Sequence, residues 1–166
     1  MRHVALFLIL LALVAPAAVL AAAHPAAGAL SVEGGKGLVI VRGNGGLLGR
    51  VTRGSVEILD LTPGDAWRPT VNGTTRSRRM FMKGANLSFR ILGGEYRVTT
   101  RGDGISISAR GSGVATLLGA PGLTGETGIF SADINADCQD QPQLCDPVPT
   151  NLARVTFGPE KEAKTP

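Results

Sequence analysis

Apolar and polar residues alternate with a period of two in short segments between residues 36 and 157. The pattern is clearest between residues 95 and 110. One face there would carry Tyr96, Val98, Thr100, Ile105, Ile107 and Ala109. The opposite face would carry Arg97, Thr99, Arg101, Ser106, Ser108 and Arg110. Because successive side chains of a strand point to opposite faces, the pattern predicts antiparallel strands with one buried and one exposed face.

Glycine-rich connectors separate these segments. They include Gly43-Asn44-Gly45-Gly46, Gly54, Gly93-Gly94, Gly102-Asp103-Gly104 and Gly111-Ser112-Gly113. Glycine adopts the positive φ angles that hairpin turns require. The spacing predicts an all-β domain over residues 36–157, a single antiparallel β-sandwich or small barrel of about nine short strands. Arg-Gly pairs recur at the ends of the predicted strands and suggest duplicated hairpins, so a solenoid is the alternative.

The N-terminal segment is uniformly apolar from Val4 to Ala23 and follows a single basic residue, Arg2. A short basic start, an apolar helix and small residues before a polar segment are typical of a secretory signal peptide, predicted over residues 1–23. A retained transmembrane helix is the alternative, although Pro16 favours the cleaved signal. We expect a flexible lead-in over residues 24–35 and a disordered tail over residues 158–166.

Composition narrows the class of protein. The chain of 166 residues has a formal net charge of +4, with 23 glycines and 10 prolines but only seven aromatic residues. The roughly 140 residues after the signal suffice for one domain with a core. The mild positive charge does not indicate nucleic-acid binding, and glycine with few aromatics favours short strands over helices.

The two cysteines, Cys138 and Cys145, follow the predicted signal peptide. Exported proteins enter compartments in which thiols can be oxidised, so we expect a structural disulfide. A metal site or a redox pair is the alternative. There is, however, no CxxC motif and no Cys or His cluster to complete four ligands.

Catalytic motifs are scarce. His24 is the one histidine after the predicted signal, which argues against a Ser/His/Asp or Cys/His site. We therefore expect a non-enzymatic protein without a required cofactor. A carboxylate-based hydrolase is a distant alternative, since acidic residues occur through the strand region without a spacing that brings two together.

The segment 133–137 places oxygen-bearing side chains at alternate positions: Asp133, Asn135 and Asp137. This spacing resembles the first ligands of a calcium-binding EF-hand loop. Cys138 replaces the glycine of the sixth position and Leu144 the glutamate of the twelfth. Calcium is therefore a possible ligand here, and a solvated acidic loop is the preferred interpretation.

The linker between the two groups of strands combines the only tryptophan with a basic run. Its candidate contact residues are Trp67, Arg68, Arg76, Arg78 and Arg79. Guanidinium groups and an aromatic plane suit a glycan or an anionic polymer. The alternative is that Trp67 belongs to the core and the arginines are solvated.

These features together predict a secreted, extracellular or cell-envelope β domain that binds an anionic polymer or glycan. The first alternative is a structural envelope protein that assembles through sheet edges. No nucleic acid is expected as a partner, and contact with the membrane would occur only through an uncleaved signal segment. The sequence does not indicate the oligomeric state or the identity of the ligand.

Overall fold

The computed structural model describes residues 28–64, 69–71, 79–120 and 127–159. These ranges contain seven strands: β1 (Gly28–Asp60), β2 (Thr70–Val71), β3 (Arg79–Ile91), β4 (Glu95–Gly119), β5 (Ile129–Ser131), β6 (Asp146–Pro147) and β7 (Ala153–Phe157). One 3-10 turn, Pro142–Leu144, lies between β5 and β6. None of the described residues forms a helix long and apolar enough to span a membrane. The predicted signal helix, residues 1–23, lies outside these ranges.

The two longest strands, β1 and β4, pair with each other in two registers. Residues 37–60 of β1 pair with residues 96–119 of β4, whereas residues 28–44 of β1 pair with residues 95–111 of β4. Val39 therefore lies opposite Leu117 on one edge and opposite Thr100 on the other. A strand can have the same partner on both edges only if the sheet curls, and the result is a half-barrel.

The remaining strands extend this sheet on both sides. β3 pairs with residues 47–59 of β1, and β2 pairs with the end of β3. β7 pairs with residues 113–117 of β4, which gives the strand order β2-β3-β1-β4-β7. β5 pairs with residues 31–33 of β1, and β6 pairs with β5. All these pairings are antiparallel, so the predicted all-β antiparallel architecture is confirmed.

The core fills the concave side of the sheet. The predicted buried face is confirmed, because all six of its residues are at most 2% exposed: Tyr96, Val98, Thr100, Ile105, Ile107 and Ala109. Val39 and Val41 of β1 and Leu117 of β4 join the same cluster. Each fully buried aliphatic side chain of this size contributes about 1.5–3 kcal/mol to the free energy of unfolding. The period-two pattern therefore identified the residues that hold the curled sheet together.

The predicted glycine connectors are the main difference between sequence and structure. Of these, Gly93-Gly94 joins two strands, β3 and β4. Gly54 and Gly102 instead lie inside long strands, directly opposite one another, with φ angles of 156° and 143°. The two backbones approach so closely that a side chain on either would overlap the facing strand. The prediction of about nine short strands is therefore wrong: within the described ranges the segments merge into three long strands and four short ones.

The N-terminal boundary of the sheet also differs from expectation. β1 begins at Gly28, inside the segment for which the sequence predicted a flexible lead-in. Ala29, Leu30 and Val32 are buried there, at 4%, 1% and 1% exposure. They are held because this segment pairs with β4 on one edge and, at residues 31–33, with β5 on the other.

Tyr96 carries the one buried side-chain polar atom without a hydrogen-bond partner among the described residues, its hydroxyl oxygen. Burial raises the pKa of Tyr96 above its ordinary value of 10.0, because desolvation disfavours the phenolate. A buried hydroxyl without a partner costs about 1–3 kcal/mol. We therefore expect Tyr96→Phe to raise the free energy of unfolding by about 1 kcal/mol in urea titrations at pH 7.

The same substitution should change the pH dependence. The unfolded chain releases the Tyr96 proton near pH 10 while the folded protein retains it, so this group lowers wild-type stability as the pH rises above 10. The difference between wild type and Tyr96→Phe should therefore grow between pH 9.5 and 11. A variant less stable than wild type at pH 7 would show that the hydroxyl has a stabilising partner.

Candidate anion-binding surface

The predicted contact loop is described only at its end. Trp67, Arg68, Arg76 and Arg78 lie outside the described residues. Arg79 is the first residue of β3 and is exposed, and its guanidinium group forms an ion pair with the carboxylate of Glu57. An exposed pair of this kind contributes at most about 1 kcal/mol to stability. Arg79 therefore lies on the convex, solvent-facing side of the sheet.

Two further arginines share the cross-strand row of Arg79. Arg79 lies opposite Leu59 of β1, and Leu59 lies opposite Arg97 of β4. Because β4 pairs with β1 twice, Arg97 also lies opposite Arg42 on its other edge. Neighbouring strands are about 4.8 Å apart, so the row crosses four strand positions of the convex face.

An open groove of about 640 Å³ lies along this part of the convex face. Arg42 and Arg97 line it together with Arg154, which β7 places opposite Thr116. One acidic side chain, Glu95, also lines the groove. The remaining polar lining residues are Asn44, Ser112, Thr116 and Thr156. Three guanidinium groups and one carboxylate give the groove a net positive charge.

The arginine pair at the centre of this groove is electrostatically unfavourable in the protein alone. Like charges directly opposite one another on a sheet destabilise it. In the described part of the chain, neither the Arg42 nor the Arg97 side chain forms a hydrogen bond or an ion pair. A carboxylate or phosphate between them would accept charge-assisted hydrogen bonds from both guanidinium groups and relieve the repulsion.

The residues proposed as calcium ligands have local partners. The Asp133 carboxylate accepts hydrogen bonds from the backbone and side-chain nitrogens of Asn135, at 2.9 and 3.2 Å. The Asp137 carboxylate accepts one from the backbone nitrogen of Gln139, at 3.0 Å. Over the described ranges, no three His, Cys, Asp or Glu side chains are grouped so that they could hold a metal ion. Calcium binding stays a prediction.

The predicted disulfide between Cys138 and Cys145 is present, with Cα atoms 5.8 Å apart. Cys138 is 1% exposed, and its backbone nitrogen donates a hydrogen bond of 3.0 Å to the hydroxyl of Ser31 in β1. The Arg110 guanidinium donates one of 3.1 Å to the carbonyl oxygen of Ile134. The segment from residue 132 to residue 145, here called the disulfide loop, is thereby fixed to the sheet.

Sequence reasoning did not select Arg42, Arg97 or Arg154 as contact residues. They are far apart along the chain, and only the double register of β1 and β4 and the docking of β7 bring them together. The available signal was the alternating pattern of residues 95–110, which placed Arg97 on the exposed face without indicating its neighbours.

No family model, curated protein or solved structure matches the chain.

Proposed function

We propose that this protein is a non-catalytic domain of the cell envelope or extracellular space that binds an anionic polymer on the convex face of its sheet. The observation that supports this function best is the placement of Arg42 directly opposite Arg97, without an acidic partner in the described residues. Such a pair lowers the stability of the protein alone. It is explained if a bound anion compensates the repulsion.

The arrangement suits a polymer better than a single small anion. A second basic row lies four residues further along the strands, where Lys83 is opposite Ser55 and Ser55 is opposite Arg101. The positive charges therefore recur both across and along the strands. A chain of carboxylate or phosphate groups could contact several guanidinium groups at once, and the many weak contacts would add up to useful affinity.

Two features support a location outside the cytoplasm. The apolar run Val4–Ala23 is typical of a signal peptide, and the Cys138–Cys145 disulfide is compatible with an oxidising compartment. Polyanions are also abundant ligands outside the cytoplasm that a surface of arginines, hydroxyls and one asparagine could recognise without catalysis.

Retention of the protein without its signal segment on immobilised polyphosphate and polygalacturonate, with dextran as a neutral blank, tests this proposal. The test variant replaces the three groove arginines by serine: Arg42, Arg97 and Arg154. The control variant replaces three exposed basic residues elsewhere on the sheet by serine: Lys36, Arg53 and Arg110. Both variants lose the same formal charge, so a difference between them reports position and not net charge.

We expect the wild type to be retained on at least one polyanion and released by salt, because exposed charge contacts are screened over about 8 Å at physiological ionic strength. The test variant should bind at least about tenfold more weakly, since it loses three contacts of roughly 0.5–1 kcal/mol each. The control variant should elute near the wild type. Equal losses in both variants would reject the groove as a specific site.

Assembly through sheet edges is the second candidate function. β2 pairs only with Phe89 and Arg90, so most of the outer edge of β3 has no strand partner within the described ranges. Phe81 on this strand is 65% exposed. However, the exposed Lys83 and the positive φ of Asn86, 53°, interrupt a flat edge. Features of this kind limit edge-to-edge pairing in natural sheets, so polymer binding is the stronger proposal.

A further inference from the structure

A second groove lies where the disulfide loop meets the convex face of the sheet. It has a volume of about 400 Å³, within the range of small-ligand sites. Its floor crosses four neighbouring strand segments in this order: β3, the later part of β1, β4 and the first part of β1. Leu48 in the later part of β1 lies opposite Ser108 of β4, and Ser108 lies opposite Ser31 in the first part of β1. Asp137 and Gln139 of the disulfide loop form the far wall.

The two ends of this groove carry opposite charges. Arg50 of β1 and Arg90 of β3 line one end, and Glu33 and Asp137 line the other. As far as the chain is described, no ion pair joins the two ends. The side chains of Arg50, Arg90 and Glu33 also lack hydrogen-bond partners there, so these groups remain available to a ligand.

The distance between the ends follows from the strand order. The later part of β1, which carries Arg50, is separated from its first part, which carries Glu33, by one pass of β4. Two strand spacings amount to about 10 Å between the backbones of these two segments. The floor between the ends offers the hydroxyl groups of Ser106 and Ser108 and the apolar side chain of Leu48, which is 54% exposed.

We propose that this groove binds a short zwitterionic peptide of two or three residues. Its carboxylate binds Arg50 and Arg90, and its ammonium group binds Glu33 and Asp137. Three extended residues span about 10 Å, comparable with the separation of the two strand segments that carry the charged ends. The serine hydroxyls bind the peptide backbone, and Leu48 contacts a small side chain. This site is separate from the arginine groove described above.

The disulfide holds the acidic wall in place. Asp137 and Gln139 flank Cys138, whose backbone is hydrogen-bonded to Ser31 on the groove floor. Reduction of the disulfide should therefore release one wall of the site while the core of the sheet stays folded. We expect weaker peptide binding after reduction, with little change in the circular dichroism spectrum.

Calorimetry with trialanine as the probe tests the proposal on the wild-type protein without any mutation. Trialanine with free ends should bind, and N-acetyl-trialanine and trialanine amide should each bind about tenfold more weakly, because each lacks one charged end. Absence of trialanine binding, or equal binding of the blocked and unblocked peptides, would overturn the proposal.

Two variants locate the site. Arg50→Ser with Arg90→Ser should weaken the binding of trialanine about tenfold but should not further weaken that of trialanine amide, which has no carboxylate. Glu33→Gln should affect N-acetyl-trialanine least. The double variant Arg42→Ser with Arg97→Ser serves as the control and should bind trialanine normally. If this control loses trialanine binding while the Arg50 and Arg90 variant keeps it, the peptide binds in the other groove and this site is rejected.

Discussion

Gly102→Ala is expected to lower the free energy of unfolding by at least about 3 kcal/mol, because backbone strain and steric overlap act together. The φ angle of Gly102 is 143°, a conformation that residues with a Cβ atom rarely adopt. A Cβ atom there would overlap the backbone oxygen of Arg53 and lie 2.7 Å from the Cα atom of Gly54. Backbone atoms of a paired strand cannot move aside as a flexible side chain can. Urea titration followed by circular dichroism measures the effect.

Gly84→Ala is the matched control for this prediction. Gly84 lies opposite Gly54 on the other edge of β1, so it occupies the same cross-strand row. Its φ angle is not positive, and the nearest atom to an added Cβ is the Leu87 Cδ2 atom at 3.6 Å. We expect a change within about 1 kcal/mol, and a small gain is possible because alanine restricts the unfolded chain. Equal unfolding midpoints for the two variants would show that the Gly54–Gly102 contact does not restrain the fold.

The buried face of the sheet could be predicted from the sequence because it depends on local geometry alone. Period-two alternation selected Tyr96, Val98 and Thr100 correctly, whatever strand they pair with. The disulfide was predictable for a similar reason, since two cysteines seven residues apart in a chain with a predicted signal peptide have few other partners.

The connectivity could not be predicted because glycine has two roles that look alike in a sequence. It permits a tight turn, as at Gly93-Gly94, and it permits two paired backbones to approach, as at Gly54 and Gly102. The second role appears only when the facing strand is known. The same limit applies to the arginine groove, because Arg42 and Arg97 become neighbours only through the second register of β1 and β4.

The largest side-chain effect is expected for Phe157→Ala in β7. Phe157 is 1% exposed and is the one buried residue among the five of this strand. Its ring packs against two facing glycines, Gly43 and Gly113: its Cζ atom would lie 3.3 and 2.9 Å from Cβ atoms added there. Removing a fully buried phenylalanine ring costs about 3–5 kcal/mol, from lost transfer free energy and the cavity that remains. We therefore expect the urea midpoint to fall sharply.

This substitution also links stability to the proposed polymer site. β7 pairs with only residues 113–117 of β4, and its contacts with the core are the buried Phe157 ring and the partly buried Val155. Arg154 depends on this attachment for its place in the groove. Phe157→Ala should increase amide hydrogen exchange in β7 and weaken retention on the polyanion under conditions in which the sheet remains folded. Leu152→Ala is the control, because Leu152 is 65% exposed just before β7 and should change the free energy of unfolding by less than about 0.5 kcal/mol. If Phe157→Ala unfolds at the urea concentration of this control, the ring does not hold β7, and the position of Arg154 must have another cause.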